Sequence, residues 1–180
     1  RELGERYPSR NAKIGEVALE VQGLTCPSLC KDINFQIRKG EILAFAGLMG
    51  AGRTEVAQAI FGNLKKSKGD IFIHGKKASI KNPIQAMKHG IGFVTEDRKT
   101  EGLVLDFSIK ENMFLTNLKT IAKSGFIQPQ QEQIHASKYI EQLNIRCSDA
   151  TQAVGSLSGG NQQKVVIAKW LSTKPDILIL

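Results

Sequence analysis

Eight consecutive residues, Gly47-Leu48-Met49-Gly50-Ala51-Gly52-Arg53-Thr54, set three glycines, a cation and a hydroxyl at the spacing of a phosphate-binding loop. The glycines let the backbone curl so that its N–H groups face a phosphate, and a following helix N-terminus adds partial positive charge. In that chemistry Gly47, Gly50, Ala51 and Gly52 cradle phosphate oxygens through their backbone, Arg53 places a cation against the β- and γ-phosphates, and Thr54 offers a hydroxyl to Mg²⁺. A guanidinium is a planar fork, so its fit differs from that of the lysine usual at this place. The competing reading is a glycine turn that merely joins a strand to a helix.

A second stretch, Leu157-Ser158-Gly159-Gly160-Asn161-Gln162-Gln163-Lys164, opens a helical pattern that runs through Val165, Val166, Ala168, Trp170 and Leu171. Ser158 is a good N-cap, and two glycines leave backbone N–H groups uncovered, so this too is a candidate anion site. An ordinary capped helix with a weakened first turn is the alternative.

The elements that must position these stretches can be read in order. Glu16–Val21 and Ile33–Ile37 predict strands, the second half-buried and antiparallel. Ile42-Leu43-Ala44-Phe45-Ala46 predicts a buried strand leading into the loop, and Val56, Ala59 and Ile60 mark one face of the helix after it, closed by Gly62. Another strand is expected over Gly69–Gly75, a short helix from Pro83 with Ile84 and Met87 inward, and a buried strand over Ile91–Val94 before the polar Thr95-Glu96-Asp97-Arg98-Lys99. Ser108–Leu118 and Pro129–Leu143 are helical in spacing, the second with a stripe of Ile134, Tyr139, Ile140 and Leu143. Consecutive helices without intervening strands predict an insert standing off a sheet that resumes at Ile177.

Composition sets bounds. The 180 residues, 41% hydrophobic and 23% charged, suit one compact domain with a sizeable core, or one domain plus a small appendage. A net charge of +8 raises nucleic acid or an anionic membrane as a partner, yet the lysines are scattered and no aromatics interleave with them to stack bases. Cys26, Cys30 and Cys147 read as reduced thiols, and no histidine stands near the first two to complete a zinc site. His74, His89 and His135 are isolated. No apolar stretch approaches the about 20 residues of a membrane span. A start at Arg1 and an end on an apolar run suggest a piece of a larger protein.

With both glycine motifs in hand, the chain resembles the ATP-binding-cassette (ABC) ATPases, whose signature motif Leu157 to Lys164 is similar to. Gly47 to Glu55, Glu96-Asp97-Arg98-Lys99 and the Asn-Gln-Gln-Lys ending of the signature resemble the second nucleotide-binding domain of bacterial monosaccharide importer ATPases of the ribose, galactose and xylose type. The likeness covers about residues 14–180, and residues 1–13 are similar to the linker between two cassettes.

The resemblance implies an α/β fold, a P-loop NTPase (RecA-like) cassette with an antiparallel β subdomain and a helical insert, truncated before the end of its core. The implied organisation is a linker at 1–15, a nucleotide-binding core at 16–97, a helical subdomain with the signature at 98–172, and the start of the Mg²⁺ and catalytic-glutamate strand at 173–180. ATP and Mg²⁺ are the implied cofactors, with Gly47, Gly50, Ala51, Gly52, Arg53 and Thr54 at the phosphates. Leu157, Ser158, Gly159, Gly160, Asn161 and Gln162 form the signature, which meets the γ-phosphate on an opposing cassette packed head to tail. Glu96 stands at the glutamine that reports on phosphate and metal, and with Thr54 it is a Mg²⁺ ligand. The catalytic aspartate and glutamate are expected beyond Leu180, so this stretch alone is expected to hydrolyse little or no ATP.

Partners implied are the second cassette, membrane permease subunits and, indirectly, an external sugar-binding protein, with no nucleic acid; the place implied is the cytoplasmic face of the membrane. Phe107, Met113, Phe114 and Phe126 are candidates for permease docking, with at least half of them expected to pack the insert instead. Three departures point to a weakened site of its own: Arg53, Glu96, and no aromatic between Gln22 and Asp32 to stack adenine. The alternative is a non-transport ABC ATPase acting on nucleic acid or ribosomes, which salt-dependent binding to RNA or DNA would favour.

Overall fold

The computed structural model describes residues 12–48 and 50–180. Residues 1–11, most of the expected linker, and Met49 of the glycine loop lie outside the described residues. The described chain divides into two units, one ending at Asn82 and the other running Pro83–Leu180.

The first unit is built on alternation. β1 (Val17–Cys26) turns Leu19, Val21 and Leu24 into the core and pairs on both sides, with β2 (Cys30–Arg38) and with β3 (Lys68–Ile73). The short β4 (Lys76–Lys77) completes an antiparallel sheet of order β2-β1-β3-β4. Register is fixed by apolar partners across the ladder, Val21 facing Phe35 on one side and Ile71 on the other. Where the β1–β3 register shifts, Gly69 has φ +96° and a Cβ there would stand 2.5 Å from the Leu24 Cα, so only glycine fits. α1 (Arg53–Phe61) buries Val56, Ala59, Ile60 and Phe61 and ends at Gly62, whose N–H donates to Ala59 O. The expected strands at 16–21, 33–37 and 69–75 are therefore present, as is the helix after the loop.

Ile42–Ala46 is not a strand. It pairs with no strand among the described residues, and Ile42 is 75% exposed. Its apolar pattern is that of a strand, but a strand exists through a neighbour's hydrogen bonds, and the four-stranded sheet closes without it. Phe45 instead turns its ring edge-on to Phe35, 5.0 Å between centroids.

The second unit begins with α2 (Pro83–Lys88), which packs on β5 (Ile91–Phe93); β5 lies parallel to β8 (Ile177–Ile179), with Ile91 opposite Ile177. The resumption of the sheet at Ile177 is as expected. Between these strands come α3 (Ile109–Phe114), α4 (Pro129–Gln142) and α5 (Gly159–Leu171). Their shared core holds Ile109, Met113, Phe114, Ala136, Val165 and Val166, each fully buried, and a side chain such as Phe114 contributes about 3 kcal/mol by leaving water. The Lys110–Glu132 ion pair at 3.0 Å joins α3 to α4.

Three expectations in this unit need correction. Ile84 and Ile134 face out, the latter 60% exposed, because Ala86 on α2 and Ala136 on α4 occupy the inward positions. Of the four docking candidates half pack the insert, as expected: Met113 and Phe114 are core, while Phe107 and Phe126 are exposed. The helix from Ser108 stops at Phe114 instead of reaching Leu118. A small hairpin, β6 (Ala122–Lys123) and β7 (Phe126–Ile127), interrupts the helices where none was expected; its two-residue strands are too short to show a period.

Candidate functional site

In the first unit the glycine loop has a conformation that glycine alone takes readily. Gly50 has φ +78° and Gly52 φ +83°, the Ala51 N–H donates to Leu48 O at 3.1 Å, and the helix starts at once, Val56 N–H donating to Gly52 O at 3.0 Å. A Cβ on Gly50 would meet nothing within 4 Å, so the loop has open space on that side for a ligand atom. Gly52 is the opposite case. It is buried, and a Cβ there would sit 2.7 Å from the Leu29 carbonyl oxygen at the β1–β2 turn. Arg53 folds its side chain back over the loop's start, its Cδ 3.8 Å from where a Gly47 Cβ would be. Thr54 follows, half-buried in the first turn of α1. Curl, open cradle, cation and hydroxyl fit a phosphate chain with its Mg²⁺.

A prediction follows for the supporting contact. The left-handed conformation alone costs alanine about 1–2 kcal/mol, and Gly52→Ala must also displace a backbone carbonyl. We expect Gly52→Ala to weaken Mg-ATP binding at least tenfold, about 1.4 kcal/mol or more, by calorimetric titration. Unchanged affinity would mean the loop tolerates a shifted turn.

In the second unit Glu96 is exposed and followed by a π-helical turn, Arg98–Gly102. Asp97 caps that turn, its Oδ1 accepting from Lys99 N–H at 2.9 Å and Thr100 N–H at 3.2 Å. The Thr100 side chain and these amides hold the Asp97 carboxyl below the usual aspartate range. Thr95 Oγ1 beside them is buried without a hydrogen-bond partner.

The second glycine motif starts α5. Leu157 is buried as its anchor and Ser158 is the N-cap residue by position, yet the Ser158 side chain caps no backbone N–H as expected. Its Oγ accepts instead from Asn161 Nδ2 at 3.0 Å, and Asn161 Oδ1 accepts from Arg146 N–H at 3.0 Å. Gln162 is buried, its Nε2 donating to Val154 O at 3.3 Å and its Oε1 accepting from Arg98 Nε at 3.3 Å. A Cβ on Gly160 would meet nothing within 4 Å, and Ser158 is exposed, so the turn is bare where an anion would approach.

The structure thus brings Leu157 to Gln162 together with Arg98, a residue to which sequence reasoning gave no task. Of the two expected Mg²⁺ ligands, Thr54 lies in the first unit and Glu96 in the second. Among the described residues no group of three or more His, Cys, Asp or Glu side chains could hold a metal by itself. All three cysteines are free thiols. Among the described residues no helix is long and apolar enough to cross a membrane.

The ABC transporter family model matches residues 30–180. The chain is 51% identical over 180 residues to the ribose import ATP-binding protein RbsA of Bacillus cereus and 52% identical to that of Lactococcus lactis subsp. lactis. All of the chain is covered in both, but it spans 36% of the length of each relative. Among solved structures it is similar to cbiO1 from Clostridium perfringens, part of the ABC transporter complex cbiONQ, at TM-score 0.71 and 23% identity over 91% of this chain and 64% of that one. It is also similar to the ATP-binding cassette MJ0796 in a dimer bound to ADP and Pi, at TM-score 0.72 and 21% identity over 89% and 72% of the two chains. These likenesses establish the ABC cassette fold, an α/β P-loop NTPase with an antiparallel sheet. A glycine loop opening α1, a bare glycine turn opening α5 and a family match across most of the length agree: the chain belongs to the ABC transporter family.

Proposed function

We propose that this chain is the second of two cassettes in an ATP-driven importer of a monosaccharide, the sugar being ribose as in the names of its relatives. The observation that carries the reading is a pair of open glycine turns in one chain, at Gly50 and at Gly160, each at a helix N-terminus. One suits the phosphates of its own nucleotide; the other suits the γ-phosphate of an ATP held by an opposing cassette packed head to tail. ATP with Mg²⁺ is the proposed cofactor, Gly47, Gly50, Ala51, Gly52 and Arg53 contacting phosphates and Thr54 and Glu96 serving the metal. Bound Mg²⁺ would neutralise phosphate charge during attack by water, and the chain's own part is positioning and charge.

We place this cassette's own site as the weaker of two. Arg53 cannot take the compact place of a lysine ammonium, and the Glu96 carboxylate repels phosphate oxygens where an amide would not. Leu29, half-exposed at the turn that abuts Gly52, offers the base only an aliphatic surface. The stretch 98–172 serves as the helical subdomain that docks on a permease at the cytoplasmic face of the membrane, and exposed Phe107 and Phe126 are its candidate contacts.

The test is a calorimetric Mg-ATP titration of the wild type beside Arg53→Ala. We expect the wild type to bind and the variant to lose at least tenfold in affinity, about 1.4 kcal/mol. No binding to a chain that circular dichroism reports as folded would leave the signature as its contribution and withdraw the phosphate-loop residues.

A further inference from the structure

Arg98 occupies an unfavourable place for a cation. Its Nη2 lies 2.8 Å from where a Cβ on Gly159 would stand, at the start of α5, where the helix dipole is already positive. Two structural details hold it there. Its Nε donates to Gln162 Oε1 at 3.3 Å, and Gln162 is itself buried and tied to Val154 O. The turn that carries it, Arg98–Gly102, is also fastened at its far end, where the buried Lys169 of α5 donates its Nζ to Gly102 O. Gly102 is small enough to let Val166 of α5 close on it, since a Cβ there would come 3.2 Å from Val166 Cγ2.

The π-helical turn is thus strapped to α5 at both ends, and it begins two residues after Glu96. Single π-helical turns are rare and recur at functional sites. Gly159 lies in the same contact: its φ is not in the left-handed region, so its backbone does not demand glycine, but a Cβ there would displace the guanidinium from its present place.

Resting on the importer reading above, we propose that Arg98 is a positioning residue for the signature turn: through Gln162 and Gly159 it fixes Ser158–Gly160 against the segment that follows Glu96. A change at Glu96 is then carried by a short, stiff turn to the residues that meet an opposing γ-phosphate. The dipole opposition gives the arrangement a direction. Guanidinium and helix start repel each other until an anion approaching the turn relieves both.

The experiment uses the full-length ATP-binding protein assembled with its permease, comparing ATP hydrolysis by wild type, Arg98→Ala and Arg98→Lys. We expect Arg98→Ala to lower kcat about tenfold to a hundredfold, the cost of a small misplacement at a reacting centre, with KM for Mg-ATP and the melting temperature held. Arg98→Lys is expected to remain low, because one ammonium cannot both bond Gln162 and reach Gly159. Unchanged kcat in Arg98→Ala, full rescue by lysine, or a rise in KM alone would overturn the proposal. A second measurement does not depend on turnover: amide hydrogen exchange over residues 158–163 is expected to quicken about tenfold in Arg98→Ala through loss of local protection. Equal exchange rates would overturn the positioning role, whereas a wild type without ATPase activity would overturn the importer reading instead.

Discussion

Ser158→Arg is expected to abolish the transport-coupled ATPase activity of the full-length protein, with Mg-ATP binding at the chain's own phosphate loop left at the wild-type level. Ser158 is exposed at the start of α5, beside the open face of Gly160. A long side chain there fills the one approach that an opposing phosphate has to the uncovered N–H groups. It also adds a second guanidinium close to Arg98, which already lies over Gly159. The fold itself has little to lose. The Ser158 hydroxyl caps no backbone group and serves only Asn161, so helix stability falls by less than the about 1 kcal/mol of a typical N-cap. Loss of preorganised donors at the developing charge is worth about a hundredfold to a thousandfold each, and here the whole turn is blocked. Arg53→Ala, by contrast, is expected to reduce the same activity only in part, since the proposed working site pairs this chain's signature with the partner's phosphate loop. Equal losses from the two changes would sink that asymmetry.

Asn112→Ala is expected to be the most destabilising single substitution in the helical part, by about 3 kcal/mol through stranded polar groups. Asn112 is fully buried on α3 and binds the loop before its own helix. Its Oδ1 accepts from Val104 N–H at 2.8 Å, and its Nδ2 faces the carbonyls of Val104 at 3.0 Å, Phe107 at 3.3 Å and Ser108 at 3.0 Å. Alanine removes every one of these partners and leaves a cavity beside Met113 and Phe114. For a chain of this size the melting temperature is expected to drop by about 6–12 °C. A drop of under about 2 °C would mean that water replaces the amide, and the loop's geometry would not depend on it.

The same residues explain how much could be read in advance. β1, β2 and β3 alternate, and the glycine loop followed by Val56, Ala59 and Ile60 has only one helical register, so the antiparallel sheet and α1 were legible from local pattern. Ile42–Ala46 has equal apolar content but no partner strand among the described residues, and pairing is not a local property. Ile134 and Ala136 are two residues apart on α4; the larger was expected inside, but the side of the helix is chosen by α3, which brings its own bulk in Met113 and Phe114. The site followed the same division. The glycine motifs were visible because each is contiguous, whereas Arg98 and Gln162 are separated by 64 positions and meet only through the packing of the π-helical turn on α5. A guanidinium packed on Gly159 leaves no local trace in the sequence.

The hairpin tip at Pro27-Ser28-Leu29 has the look of a surface turn, exposed throughout, where a chain normally accepts an extra residue, an epitope or a dye. Here the Leu29 carbonyl is the wall against which Gly52 is set, so the length of this tip is not free to vary. An engineered insertion at residues 27–29 would be felt first as weakened binding at the proposed phosphate loop, well before any loss of the sheet.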